Sequence, residues 1–179
     1  MEFLQILENR RSIRAYSEGI TVSREEIEQM ITAAQQAPSW KNSQTGRYYV
    51  ALSEEAISEV RNNCLASFNY DRTLNAAAFV LMTFKSGISG FSPDGLPTDT
   101  LANGWGAYDL GLQNANFILR AFELGYDTLI MGLRDENKLR DLFDIPDEEI
   151  VVSLVAIGKR KADPEKPVRK DISDISKFI

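Results

Sequence analysis

Asn103–Gly125, NGWGAYDLGLQNANFILRAFELG, is the stretch whose periodicity decides the fold. Its large apolar residues recur at Trp105, Tyr108, Leu112, Leu119 and Phe122, with Ala115 in the same row, at the alternating spacing of one helix face. A second row, Ala107, Gly111, Asn114, Ile118 and Ala121, is mostly small. A third, Leu110, Phe117 and Leu124, is again large. Asp109, Gln113, Asn116, Arg120 and Glu123 fall on one narrow polar stripe. A helix apolar over most of its circumference belongs in an interior. The small row lets another backbone come close, and Gly125 supplies the stop expected just past a helix end. The charges along the stripe argue against a membrane span. Two readings fit: the central core helix of a monomer, or a helix that also packs on a second copy of itself. The pattern alone favours the first slightly.

The chain has 179 residues, which suggests one domain. That length buries roughly 70% of the surface exposed by the unfolded chain, so neither a disulfide nor a metal is needed for stability. A net charge of −6 argues against a nucleic-acid partner, because phosphate neutralisation needs a basic face. The single cysteine fits a reducing compartment. The N-terminal MEFLQILENRR carries acids and no long apolar run, so it does not read as a signal peptide. No stretch resembles a transmembrane segment, and a cytoplasmic protein with no membrane partner is the expectation. Histidine is absent, which removes Ser-His and Cys-His nucleophilic arrangements and, with one cysteine, the common zinc sites. An all-carboxylate Mg²⁺ site stays open on composition. If the chain is an enzyme, its hard chemistry belongs to a bound cofactor.

Glu2–Glu8 reads as a short helix with Phe3, Leu4, Ile6 and Leu7 on its buried side. Arg10, Arg11, Ser12 and Arg14 follow, three guanidiniums and a hydroxyl within five residues. Arginine forks match phosphate oxygens. A solvated basic turn after a helix is the commoner meaning of such a cluster. Ser23 and Glu26 have the capping-box spacing and open a helix with Ile27, Met30, Ile31 and Ala34 inward, ended by Pro38. The loop from Pro38 to Gly46 is dense in hydrogen-bonding side chains around one large aromatic, Trp40. A site-bearing loop and a surface loop with Trp40 folded onto the core fit equally well.

Tyr48–Leu52 reads as a strand, and Ser53 starts a helix running to about Ala66 with Ile57, Val60, Cys64 and Leu65 inward. Cys64 reads as a buried inert thiol. Asn75–Phe84 is a continuous apolar run and a buried strand. Lys85–Thr100, with its glycines and prolines, reads as a long lid-like or mobile loop. After the central helix come a strand over Asp127–Met131, a helix over Asp135–Phe143 and a strand over Ile150–Ile157. The tail from Ala162 is too polar for core, yet Ile172, Ile175, Phe178 and Ile179 must cover something. An arm over a partner subunit and a frayed tail are the alternatives.

With these segments in place, the chain resembles the nitroreductase-like, FMN-dependent oxidoreductases. Arg10–Tyr16 resembles the family's N-terminal RRS-x-R-x-aromatic motif, and Ala37–Gln44 its A-P-S-x-x-N-x-Q loop. Leu110–Asn114 through Glu123–Gly125 resembles its long central helix, and Leu142–Gly158 its L-x-I-P turn and last core strand. The chain departs from the pattern at Thr45 and Gly46, where proline and tryptophan are usual. Met131 stands where an acidic residue is common, and the segment after Gly158 is basic.

The resemblance implies an α+β, three-layer fold: a mainly antiparallel central sheet flanked by helices, in an intertwined homodimer. Residues 1–161 would form the FMN-binding domain and 162–179 an arm on the partner. It implies FMN at the dimer interface, with NADH or NADPH as electron donor. Arg10, Arg11, Ser12 and Arg14 would hold the phosphate and ribityl end. Pro38, Ser39, Trp40, Asn42 and Gln44 would lie against the flavin from the other subunit. The backbone around Ile130, Met131 and Gly132 would lie beside its reactive edge, and Arg169 would reach the phosphate. No protein group is implied as catalytic and no metal is implied; hydride moves at flavin N5 and solvent supplies protons. The implied activity is ping-pong reduction of nitroaromatics, quinones or similar small electron-poor acceptors. Dehydrogenation or modification of a dedicated metabolite, or a non-catalytic flavin-sensing dimer, are the alternatives.

Overall fold

In the computed structural model, which describes residues 2–179, four strands form one antiparallel sheet. They are β1 (Gly46–Ala51), β2 (Ala78–Lys85), β3 (Asp127–Met131) and β4 (Glu149–Gly158), in the spatial order β1-β2-β4-β3. β2 and β4 hold the middle because a strand covered on both faces needs apolar side chains on both. Phe79 and Leu81 of β2 join one core, and Val80, Met82 and Phe84 join the other. β4 carries one extra residue between the pairs Met82↔Ser153 and Thr83↔Val151, a bulge that bends the sheet there.

Helices α2 (Arg24–Gln35) and α5 (Gly104–Glu123) cover one face through Ile27, Met30, Ala34, Leu110, Phe117 and Ala121. The other face meets α3 (Glu54–Glu59), a π-helical turn at Val60–Cys64, and α6 (Glu136–Phe143) through Val60, Cys64 and Leu139. The result is the expected sheet between helix layers. Three short helices lie outside it: α1 (Phe3–Asn9), α4 (Ser67–Arg72) and α7 (Ile172–Ile175). The Ser23–Glu26 capping box forms as expected, each side chain accepting the other's backbone N–H. α5 stops just before Gly125, whose φ of 85° suits a residue without a Cβ.

Several expectations need correction. On α1 only Ile6 is buried; Phe3, Leu4 and Leu7 are exposed. The expected helix from Ser53 to Ala66 is α3 plus the π-helical turn, after which α4 forms a separate element. On α5 the first part of the polar stripe faces inward: Asp109 and Gln113 are buried with Leu110, Asn114 and Phe117, while Glu123 is exposed and Tyr108, in the row of large apolar residues, is 57% exposed. Most of these polar groups are paired, although the Asn114 Oδ1 has no protein partner. Gln113 accepts from the Tyr48 hydroxyl at 3.0 Å, and Asn114 donates to Ser153 at 3.2 Å.

The segment after β2 is not a loose lid. The Gly87 N–H meets Asn103 Oδ1 at 2.8 Å, Thr98 donates twice to the Gly90 carbonyl, and the Trp105 indole donates to Asp99 at 2.9 Å. Residues 162–179 are exposed along their length, Val168 and Phe178 included.

Candidate functional site

The arginine segment is placed by the sheet. Ser12 bridges Thr128 in parallel register, and the Ile13 N–H donates to the Thr128 carbonyl at 3.0 Å, so the arginine segment meets the free edge of β3 at that point. Arg10 sits at the end of α1, its N–H capping the Ile6 carbonyl at 3.0 Å. Arg11 donates to the Arg10 carbonyl at 2.8 Å, Arg14 to the Ser12 carbonyl at 3.3 Å and Arg169 to the Pro167 carbonyl at 3.0 Å. Burial lowers the Arg10 pKa from its ordinary value, and the charges of Arg11 and Arg169 lower it further. Three guanidiniums therefore share one electrostatic neighbourhood. Among the described residues, neither they nor Arg14 form a salt bridge with a carboxylate. In an acidic protein that leaves their guanidinium forks chemically suited to phosphate or carboxylate oxygens.

Farther along the same edge strand, Ile130 is 45% exposed and Gly132 is exposed, while the Met131 side chain is 3% exposed and belongs to the core. Met131 can thus offer only backbone. Arg134 donates to the Gly132 carbonyl and, at 2.7 Å, to the Val151 carbonyl, which fixes the peptide at that corner.

The loop from Pro38 to Gly46 packs on the opposite side of the molecule, at the start of β1. Pro38, Asn42 and Gln44 are exposed; Ser39 and Trp40 are half-buried. Trp40 leans on Trp105 of α5, ring centroids 4.9 Å apart. Trp40 is therefore folded onto α5, as the surface-loop reading expects, and stays half-buried.

The structure brings Arg10, Arg11, Ser12, Arg14, Ile130 and Gly132 to one sheet edge, and Arg169 into the charge field of Arg10. Pro38, Ser39, Trp40, Asn42 and Gln44 are not brought to that edge. β1 and β3 are the two outer strands of the sheet, separated by roughly 14 Å at ordinary strand spacing. Among the described residues, no hydrogen bond joins the loop to the arginine segment. Sequence reasoning missed Arg134, which lacks any local motif. It also missed the tie between Asp109 and the loop, although an aspartate in the middle of an otherwise apolar helix was a usable signal.

A sheet between helices, an arginine cluster without salt bridges on one edge and a polar, aromatic loop on the other define an α+β protein whose two candidate site regions lie apart. The chain belongs to the nitroreductase family: a family model described as "Nitroreductase family" matches residues 7–159. It is 30% identical to the Archaeoglobus fulgidus protein named "Putative NADH dehydrogenase/NAD(P)H nitroreductase", over 89% of this chain and 86% of that one. It is 25% identical to the Bacillus subtilis "Putative NAD(P)H nitroreductase YdgI", over 99% of this chain and 97% of that one. Among solved structures it resembles the Exiguobacterium sibiricum protein described as a "putative nitroreductase in complex with FMN". That match has a TM-score of 0.82 and 26% identity, and covers 100% of this chain and 98% of that one.

Proposed function

We propose that this chain is a cytoplasmic FMN-dependent oxidoreductase. It takes reducing equivalents from NADH or NADPH and passes them to nitroaromatics, quinones or similar electron-poor acceptors. The observation that carries this reading is the cluster of Arg10, Arg11 and Arg169, none in a salt bridge among the described residues, next to a segment that meets the β3 edge carrying Ile130, within a nitroreductase-family chain. When bound, FMN would supply hydride transfer at N5, first from the nicotinamide and then to the acceptor in a ping-pong cycle. The chain's own residues do the rest. Arg10, Arg11 and Arg169 bind a phosphate of about two negative charges. Ser12 and Arg14 complete that end, and the Ile130–Gly132 backbone, held by Arg134, orients the ring edge. With histidine absent, protons come from solvent. Purified protein is expected to be yellow, with about one FMN per chain, and to bleach on anaerobic addition of NADPH. Colourless protein that also fails to take up added FMN would remove the whole reading.

The divided site favours a homodimer. Two copies facing each other would bring Pro38, Ser39, Trp40, Asn42 and Gln44 of one chain against the arginine edge of the other. The surfaces left apolar fit such an arrangement: Tyr108 on α5, Phe3, Leu4 and Leu7 on α1, and Ile172, Ile175, Phe178 and Ile179 on the tail. In this reading α5 packs on its partner copy and residues 162–179 form an arm over it. The expected interface is on the order of 2,000–5,000 Å². Sedimentation should show a dimer at nanomolar protein; a folded monomer that keeps its flavin would contradict the shared site.

A further inference from the structure

A buried carboxylate sits where two loops meet α5. Asp109 is 3% exposed, and its Oδ2 accepts the Trp40 backbone N–H at 2.9 Å and the Ser89 hydroxyl at 2.8 Å. Ser89, itself 2% exposed, lies 2.8 Å from the Ser43 hydroxyl. One side chain thus ties residues 38–46 and the segment after β2 to the helix and, through Ser89, to each other. The loop requires such a tie. Lys41, Asn42 and Gln44 have φ of 47°, 57° and 48°, the left-handed region that residues with a Cβ populate only under constraint. Within the loop, the Asn42 N–H meets the Ser39 carbonyl at 3.0 Å, Ser43 N–H the Trp40 carbonyl at 2.8 Å, and Gln44 N–H the Ser39 hydroxyl at 3.1 Å. These local bonds tighten the turn but do not fix it to the body. Trp105, one helical turn before Asp109, adds a second contact by packing on Trp40 while its indole N–H is held by Asp99. Aspartate is a poor choice for a helix interior, and a charge taken from water needs charge-assisted bonds to remain there. The helix alone gives no reason for Asp109; the two loops do.

We infer that Asp109 is a positioning residue. It holds Trp40–Gln44 in the conformation that presents Ser39, Asn42 and Gln44 to the flavin, and it makes the segment after β2 a fixed wall. The inference rests on the proposed placement of that loop at the cofactor.

The test compares wild type with Asp109→Ala, Asp109→Asn and Ser89→Ala, each purified as holoenzyme. FMN release on dilution is followed by recovery of free-flavin fluorescence, together with the bound-flavin spectrum, the melting temperature and trypsin cleavage after Lys41. Asp109→Ala should raise the FMN Kd about tenfold or more, the ordinary consequence of losing bonds to a charged acceptor. It should also shift the bound-flavin spectrum and speed cleavage after Lys41. Asp109→Asn keeps an acceptor oxygen and should restore the Kd to within about threefold of wild type. Ser89→Ala should fall between. A lowered melting temperature with the Kd and spectrum of wild type would make Asp109 a packing residue and overturn the proposal. If Asp109→Ala does not fold, unchanged Kd and unchanged Lys41 cleavage in Ser89→Ala overturn it. If wild type takes up no FMN, the flavin reading fails on its own; equal Lys41 cleavage in wild type and Asp109→Ala then overturns the loop tie separately.

Discussion

Arg10→Ala is expected to weaken FMN binding by about tenfold to a hundredfold while leaving the fold intact. The residue stands at the end of α1, and only its backbone N–H takes part in the helix cap. Its guanidinium is half-buried among like charges, a position that costs energy in the empty protein and favours any bound anion. A charge-assisted contact of this kind contributes about 1.5–3 kcal/mol, which sets the size of the loss. Arg11→Ala should act in the same direction. The two losses should not simply add if both forks hold one phosphate. Riboflavin is the control, because it lacks the phosphate and should bind wild type and Arg10→Ala about equally. Should riboflavin and FMN lose affinity in the same proportion, Arg10 holds the ring or the scaffold and its assignment to the phosphate is wrong.

What the sequence made legible follows from how local each signal is. The Ser23–Glu26 capping box, the strand over Asp127–Met131 and the apolar runs of β2 and β4 need only neighbouring residues, and all four form, with β2 starting three residues after its apolar run begins. Facing is another matter. Phe3, Leu4 and Leu7 are apolar in the sequence and exposed in the single chain, because apolarity says that something covers a side chain and not what. Asp109 and Gln113 form part of a polar stripe whose buried partners, Trp40, Ser89 and Tyr48, come from distant positions that no local pattern names. The segment after β2 reads as a lid from its glycines and prolines, yet Asp99, Asn103 and Asp109 anchor it through side-chain bonds that no local pattern records. For the site, the residue types of the arginine motif and the polar loop were visible. Their placement on opposite outer strands was not, since strand order is a property of the folded sheet.

The second large effect expected is on stability, from the pair that closes the arginine edge. Asp127, 6% exposed at the start of β3, accepts the Arg160 backbone N–H at 2.9 Å, Nε–H at 3.0 Å and an Nη2–H at 2.6 Å. The guanidinium also lies 5.5 Å from the Phe122 ring and meets the exposed Asp163 at 2.6 Å. Next to this pair the chain before the sheet is stitched to the chain after it: Ser17 N–H bonds the Lys159 carbonyl at 2.8 Å and Lys161 N–H the Ala15 carbonyl at 3.0 Å. Asp127→Ala would leave Arg160 half-enclosed with only a solvent-exposed partner. Removing one member of a buried pair costs about 3–5 kcal/mol. Because Arg160 is 22% exposed and Asp163 remains, the lower end applies, about 3 kcal/mol. For a chain of this length each kcal/mol moves the melting temperature by about 2–4 °C, so a fall of about 6–12 °C is expected. Arg160→Met, which keeps an apolar stem against Phe122, should be costly alone and much less so when combined with Asp127→Ala, because the double variant buries no unpaired charge. A melting temperature within about 1 °C of wild type for Asp127→Ala would place the pair with ordinary surface ion pairs. The stitching of residues 15–17 to 159–161 would then stand on its backbone bonds and the Ser17 hydroxyl bond to the Arg160 carbonyl.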